Sequence, residues 1–530
     1  MSLQNKDLQV STLYILLFFA CCLPAVDGFS DELVVPKWYA TLFVGIVIAS
    51  VHCWGLIGRA TRSARPFFAA ILIVGVAECM YAIMTETLYG SGLGVGARGT
   101  FDNPAGLALT ACVCMPFAFA LMTWRRQWVV RVLGLVAMGL LIAAVVMSKS
   151  RTGVIATGTM LLTAYMLTGR RSARVVVWKV AVCAVVAVAV GWYVTSCKED
   201  STDGRRFIME RTWELIAEKP LTGHGYGGFN REYMARQGEY FRENPESRYA
   251  MLADEVRHPL NEYAKAWVEF GVGGMILLMA VMAIPFIILW RRGTTIGRTI
   301  AMTMVAVAVF SCFSYPFNYP VTWVMVSVAN ITAAYPVARK VIRRYGKEKA
   351  VKWSLGGLLV MSMVVLLNEY RYENEWYRVS VRAARGYSER MMPRYEKLYA
   401  HYGDNPYFLY NYMAEQYFAG RFEGALTTSE ECRERWSGYN LELMTGDICR
   451  KLGRYGEAID HYTEAANMCP SRFAPLEGLY HSYMERGDSA NASATAKIIA
   501  EKEMKVVSAD AMRIKREAKL KIENWELNQR

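Results

Sequence analysis

Residues 128–153 read WVVRVLGLVAMGLLIAAVVMSKSRTG. The run from Trp128 to Met147 carries a single charge, Arg131, and has the length a helix needs to cross a hydrocarbon core of about 30 Å. SKSRTG then sets Lys149 and Arg151 among two serines, a threonine and a glycine, and a second apolar run follows from Val154 to Leu167. Two apolar runs joined by a short basic turn read as two membrane helices with a connection at one face of the bilayer.

The pattern recurs on both sides. Further apolar runs occupy Leu8 to Ala25, Trp38 to Leu56, Phe67 to Met84, Pro104 to Thr123, Val175 to Val194, Ala266 to Trp290, Thr299 to Tyr315, Val321 to Val337 and Trp353 to Leu367. The chain is 54% hydrophobic over 530 residues, and concentrating that content in these runs gives a polytopic membrane protein of about eleven spans. The first run, LYILLFFACCLPA, resembles a signal peptide, but its basic n-region is weak and it is read as a retained span.

Lys and Arg in short loops favour the cytoplasm. With the N-terminus inside, the cytoplasmic loops are GRATRSARP, WRRQ, GRRSAR, RRGTTIGR and RKVIRRYGKEKAVK, all basic. SKSRTG, a large loop of about 195–265 and everything beyond the last span then lie outside. Much of the net charge of +13 resides in those cytoplasmic loops, which assigns it to topology and anionic head groups; no nucleic-acid module is recognisable. Most of the twelve cysteines fall inside spans, and none has a metal-type CxxC spacing, while Cys432, Cys449 and Cys469 would face an oxidising compartment where a disulfide could form.

The chain divides into a membrane part, 1–367, and a soluble part, 368–530. In the latter, Gly386, Gly420, Gly453 and Gly487 recur at spacings of 34, 33 and 34, with Ala425 and Ala458 at equivalent places. This is the tetratricopeptide period, in which each unit is a helical hairpin. The expected fold class is therefore all-α: a membrane bundle followed by an extracytoplasmic α-solenoid with a concave face for a partner.

Three stretches carry residues suited to chemistry. Arg151 sits behind Ser148 and Ser150 and before Gly153, and a guanidinium is a rigid fork matched to phosphate oxygens. The outer loop contains DGRRFIMERTWELIAEKPLTGHGYGGFNREY (203–233), in which Arg205 and Arg206 precede an amphipathic pattern suited to a surface helix. Gly223, Gly225 and Gly228 formally spell GxGxxG, but no strand precedes them, so they read as a tight turn allowing close backbone approach. Finally RHPLNEYAKAWVEFGVGG (257–274) leads into a span with His258, Asn261, Glu262 and Glu269, and histidine has the ordinary pKa of a general base. Asp200, Asp203, Asp254 and Glu255 read as solvated acids rather than a metal site. Glu78, inside the third run, is costly in lipid and should face the bundle interior.

Together, SKSRTG, then GRRF…W…KPLTGHGYGGF, then HPLNEY…EFGVGG before a span resemble the O-antigen ligase and O-antigen polymerase superfamily, over roughly Trp38 to Val337. That family includes bacterial protein O-oligosaccharyltransferases, and some members carry C-terminal tetratricopeptide extensions. The resemblance implies transfer of a preassembled glycan from undecaprenyl diphosphate, or another polyprenyl diphosphate, to an acceptor hydroxyl at the outer face of the bacterial inner membrane. It implies Arg151 and Arg206, with Arg205 beside it, as ligands of the diphosphate, His258 as the group activating the acceptor, and no cofactor or metal. Ser148, Ser150, Gly153, Gly223, Gly225, Asn261 and Glu269 would support them. One departure is that Leu260 precedes Asn261 where the family often has histidine, so acceptor or diphosphate binding by His258 stays open. Ligation to a lipid core, polymerisation and transfer to protein share this chemistry. Two further alternatives are a lipid-linked glycan transporter and a membrane-anchored assembly scaffold acting through its repeats, with a protein partner on them.

Overall fold

The computed structural model describes residues 3–54, 65–90, 96–124, 127–167 and 199–529. The expected span Val175–Val194 lies outside them, as does Cys197. Every regular element among the described residues is helical.

The chain forms two compact units. The first comprises residues 1–197, 260–263 and 276–377. Its helices are α1 (Leu3–Cys21), α2 (Val35–Trp54), α3 (Arg65–Tyr89), α4 (Pro104–Trp124), α5 (Trp128–Met147), α6 (Arg151–Leu167), most of α9 (Glu262–Arg291), α10 (Thr295–Phe313), α11 (Pro320–Arg344) and most of α12 (Glu348–Arg382). Among the described residues, eight helices are long and apolar enough to cross a membrane: Val35–Trp54, Arg65–Tyr89, Pro104–Thr123, Trp128–Met147, Glu262–Arg291, Thr295–Phe313, Pro320–Arg344 and Glu348–Tyr402. The expected spans at Leu8–Ala25 and Val154–Leu167 fall on α1, whose apolar stretch is Val10–Cys21, and on the 17-residue α6. α4 is the central helix, with Leu107, Ala108, Cys112 and Phe117 fully buried. α5 and α12 instead expose Val132, Leu133, Val136, Leu358, Met361 and Val364, as helices facing hydrocarbon do.

Two prolines inside membrane helices strip a backbone partner from the carbonyl four residues earlier. Pro285 in α9 frees the carbonyl of Val281, and Asn330 of α11 donates to it at 3.2 Å. Pro336 in α11 frees that of Thr332, and Arg292 at the end of α9 donates to it at 2.8 Å and to Ala333 at 2.6 Å. Each helix fills the gap in the other.

The second unit comprises residues 198–259, 264–275 and 378–530, so the long loop before α9 clusters with the C-terminal helices. The loop supplies α7 (Glu199–Glu218) and α8 (Gly228–Glu243). The C-terminal part supplies α13 (Ser388–Tyr402), α14 (Pro406–Phe418), α15 (Phe422–Arg433), α16 (Tyr439–Lys451), α17 (Tyr455–Met468), α18 (Ala474–Glu485), α19 (Ser489–Glu501) and α20 (Ala509–Gln529). Consecutive helices pack as hairpins whose turns hold Gly420, Gly453 and Gly487 at φ 76°, 73° and 84°. At each, the residue after the glycine donates back across the turn: Arg421 to Gln416, Arg454 to Cys449 and Asp488 to Tyr483, at 2.9, 2.9 and 2.8 Å. Such a left-handed residue closes a helix end most cheaply when it lacks a Cβ. Ala425 and Ala458 are fully buried where paired helices touch. Cys432, Cys449 and Cys469 are buried free thiols, so the disulfide considered from the sequence is not formed.

Candidate functional site

α5 ends at Ser148, whose hydroxyl donates to the Val145 carbonyl at 2.7 Å and accepts the Ser150 N–H at 3.2 Å. Ser150 in turn accepts the Gly153 N–H at 3.2 Å, capping the start of α6. Lys149 between them adopts φ 52°, a left-handed conformation costing about 1 kcal/mol without a glycine. A Cβ on Gly153 would lie 2.9 Å from Ala108 and 3.0 Å from Val145, so α4, α5 and α6 meet closely there. Arg151 is therefore the first residue of α6, on a rigid turn at the positive end of a helix dipole.

Residues 96–101 back this turn. Ala97 donates to the Met147 carbonyl at 3.0 Å, and a Cβ on Gly96 would stand 2.6 Å from the Ser148 carbonyl oxygen. That segment is anchored at Thr100, which donates its N–H and hydroxyl to Glu78 at 2.8 and 3.1 Å and accepts from the Lys37 ammonium at 2.9 Å. Glu78 thus does face the interior. Lys37, 2% exposed, escaped the sequence reading because a lone lysine beside Trp38 looks like a span terminus.

In the second unit, Arg205 and Arg206 are exposed on α7, where Arg206 pairs with Glu210 at 2.9 Å. The neighbouring Phe207 is buried against Tyr240, Phe241 and Tyr249. Arg211, one turn on, lies 4.2 Å over the Tyr240 ring and pairs with Glu214 at 2.9 Å. Its side chain is 14% exposed, which marks it as structural.

The glycine-rich turn docks on a break in α9. Gly271 has φ 65° and interrupts the helix, leaving backbone groups open. The turn fills them: His224 donates to Val268 at 2.7 Å, Gly225 to Glu269 at 2.9 Å, and Val272 donates back to Pro220 at 3.0 Å. A Cβ on Gly223 would be 2.6 Å from the Glu269 backbone, and one on Gly271 would be 2.0 Å from the Leu221 oxygen. These glycines therefore serve helix contact, and Glu269, 6% exposed, is buried beside them.

His258 lies on the irregular segment between α8 and α9. Burial, then Lys265, then Arg257 push its imidazole down to about 4 from the ordinary 6.5, so it is uncharged at neutral pH and able to accept a proton. Leu260 has φ 57°. Lys149 and Leu260 are the non-glycine residues with positive φ among the described residues, and both sit in the candidate motifs, where such strain tends to gather. Asn261 and Glu262 start α9, and Glu262 accepts the Phe317 N–H at 3.3 Å. The second unit thus joins Gly223, Gly225 and Glu269, and it also holds Arg205, Arg206 and His258; Ser148, Ser150, Arg151, Gly153 and Asn261 belong to the first.

Residues 136–279 match the O-Antigen ligase family model. The matched stretch begins within α5, ends within α9 and contains every candidate site residue. This similarity supports the O-antigen ligase superfamily and, with the apolar helices, a multi-pass membrane protein with a glycan-transfer role in cell-surface polysaccharide biosynthesis. No curated protein matches the chain.

Proposed function

We propose that the protein transfers a preassembled glycan from a polyprenyl diphosphate carrier to an acceptor hydroxyl at the outer face of the bacterial inner membrane, with its N-terminus cytoplasmic. The observation that carries this reading is Arg151 at the head of α6, fixed by the Ser148 and Ser150 hydroxyls inside the O-Antigen ligase match. The acceptor oxygen attacks the anomeric carbon while His258 takes its proton; the bond to the diphosphate oxygen breaks, and that oxygen leaves with the electron pair. The developing negative charge is met by Arg151 and the α6 N-terminus, with Arg206 and Arg205 as further cations. In this proposal the helical hairpins from Ser388 onward are tetratricopeptide-like repeats.

The test is complementation of a deletion strain with wild type, Arg151→Ala, Arg206→Ala or His258→Ala at matched expression, with products read by mass spectrometry. Accumulated lipid-linked donor in the Arg151 variant, with no transferred glycan, is the expected result. Normal glycan in all three variants would falsify the reading.

A further inference from the structure

The segment carrying His258 has no regular structure, yet successive residues on it are held by successive hairpins. The Leu252 and Ala253 carbonyls accept from the Lys505 ammonium at 3.2 and 3.4 Å. Asp254 pairs with Arg472 at 2.7 Å. Glu255 accepts from the Asn440 amide at 2.9 Å, and the Arg257 guanidinium lies 5.8 Å from the Tyr407 ring centre. Lys505, Arg472, Asn440 and Tyr407 are separated by 33, 32 and 33 residues, the period of the array itself. Tyr407 and Asn440 are the second residues of α14 and α16, while Arg472 and Lys505 stand shortly before α18 and α20, and the segment runs against the order of the repeats.

Two further features suit this pairing. Asp254 also lies 3.7 Å from the Lys505 ammonium, so it is shared between two successive cations of the array. From behind, the fully buried Gln237 of α8 donates to the Asp254 carbonyl at 3.1 Å and to the Met468 carbonyl at 2.7 Å, and accepts from Tyr233 at 3.2 Å.

We propose that the hairpin array is a receptor for an extended acidic segment of its own chain, Leu252–Arg257, and that this docking presents His258. The array's ladder of regularly spaced positions is thus filled from within, one or two residues per hairpin. The docking stands on contacts alone; its effect on catalysis rests on the glycan-transfer reading.

Hydrogen–deuterium exchange of the full-length protein tests it. Lys505→Ala/Arg472→Ala/Asn440→Ala should speed exchange across 252–258 by about tenfold, as loss of roughly 1.4 kcal/mol of docking requires, with melting temperature nearly kept. Asp254→Arg with Arg472→Asp should recover part of the lost protection, less than fully because Lys505 also faces position 254 at 3.7 Å, whereas either change alone should recover none. A labelled peptide of sequence LADEVRH should bind a full-length variant whose residues 252–257 are replaced by Gly and Ser, and should bind wild type far more weakly. In the triple variant kcat should fall with the donor KM unchanged. Unchanged exchange in the triple variant, or equal peptide binding to both proteins, overturns the docking. Inactive wild type with exchange behaving as expected would instead sink the transfer reading and leave the docking standing.

Discussion

Thr100 gives both of its donors to one oxygen of Glu78, its N–H at 2.8 Å and its hydroxyl at 3.1 Å, while its carbonyl takes the Lys37 ammonium. Glu78→Ala leaves two buried Thr100 donors open, while Lys37 keeps its bonds to the Leu33 and Thr100 carbonyls, so it should cost about 2–3 kcal/mol. Lys37→Met should do similar harm. The double variant Lys37→Met/Glu78→Gln removes both charges but keeps the oxygen facing Thr100, and should recover most of the loss. Melting in detergent decides; additive losses would refute this account.

His258 offers a pH signature. Its folded-state pKa of about 4 lies below the ordinary 6.5, so the unfolded chain binds the extra proton between those values. The stability it contributes is complete above about pH 6.5 and falls as pH drops toward 4. If it is the base, the acid limb of kcat/KM should lie near pH 4. Lys265→Ala should move that limb upward only part of the way, because burial is the larger cause. A limb near 6.5 in the wild type would point to another base.

The glycines of the turn should separate by surroundings. Gly271→Ala combines φ 65° with a contact 2.0 Å from Leu221 and should cost about 3 kcal/mol or more. Gly225→Ala at φ 85° meets nothing within 4 Å, leaving only backbone strain of about 1 kcal/mol. Equal melting temperatures for the two would contradict the docking of the turn on α9.

Glu210 pairs with Arg206 at 2.9 Å. A diphosphate that uses Arg206 must displace it, so Glu210→Gln should lower the donor KM about twofold with kcat little changed. A raised KM would mean that Glu210 orients Arg206 for the donor.

Much of this architecture was legible because hydropathy and glycine spacing are local signals. The run Trp128–Met147 and the turns at Gly420, Gly453 and Gly487 are each specified by the residues that form them. Lys37, Gln237 and Lys265 were not legible, since their significance lies in partners far along the chain. The φ of Lys149 and of Leu260 was equally hidden, because packing rather than residue type imposes it. The positions of Lys505, Arg472, Asn440 and Tyr407 obey the visible repeat, but nothing in the sequence reveals that Leu252–Arg257 lies across them.

The reciprocal filling of the proline gaps bears on biogenesis. When α9 enters the bilayer, the Val281 carbonyl has no partner until Asn330 emerges about fifty residues later, and the Thr332 carbonyl depends on an arginine already threaded. In hydrocarbon each open carbonyl is penalised by several kcal/mol. With α10 between them, both gaps close only once all three helices are in place, and a chain halted after α9 would hold a half-made lock that α11 completes.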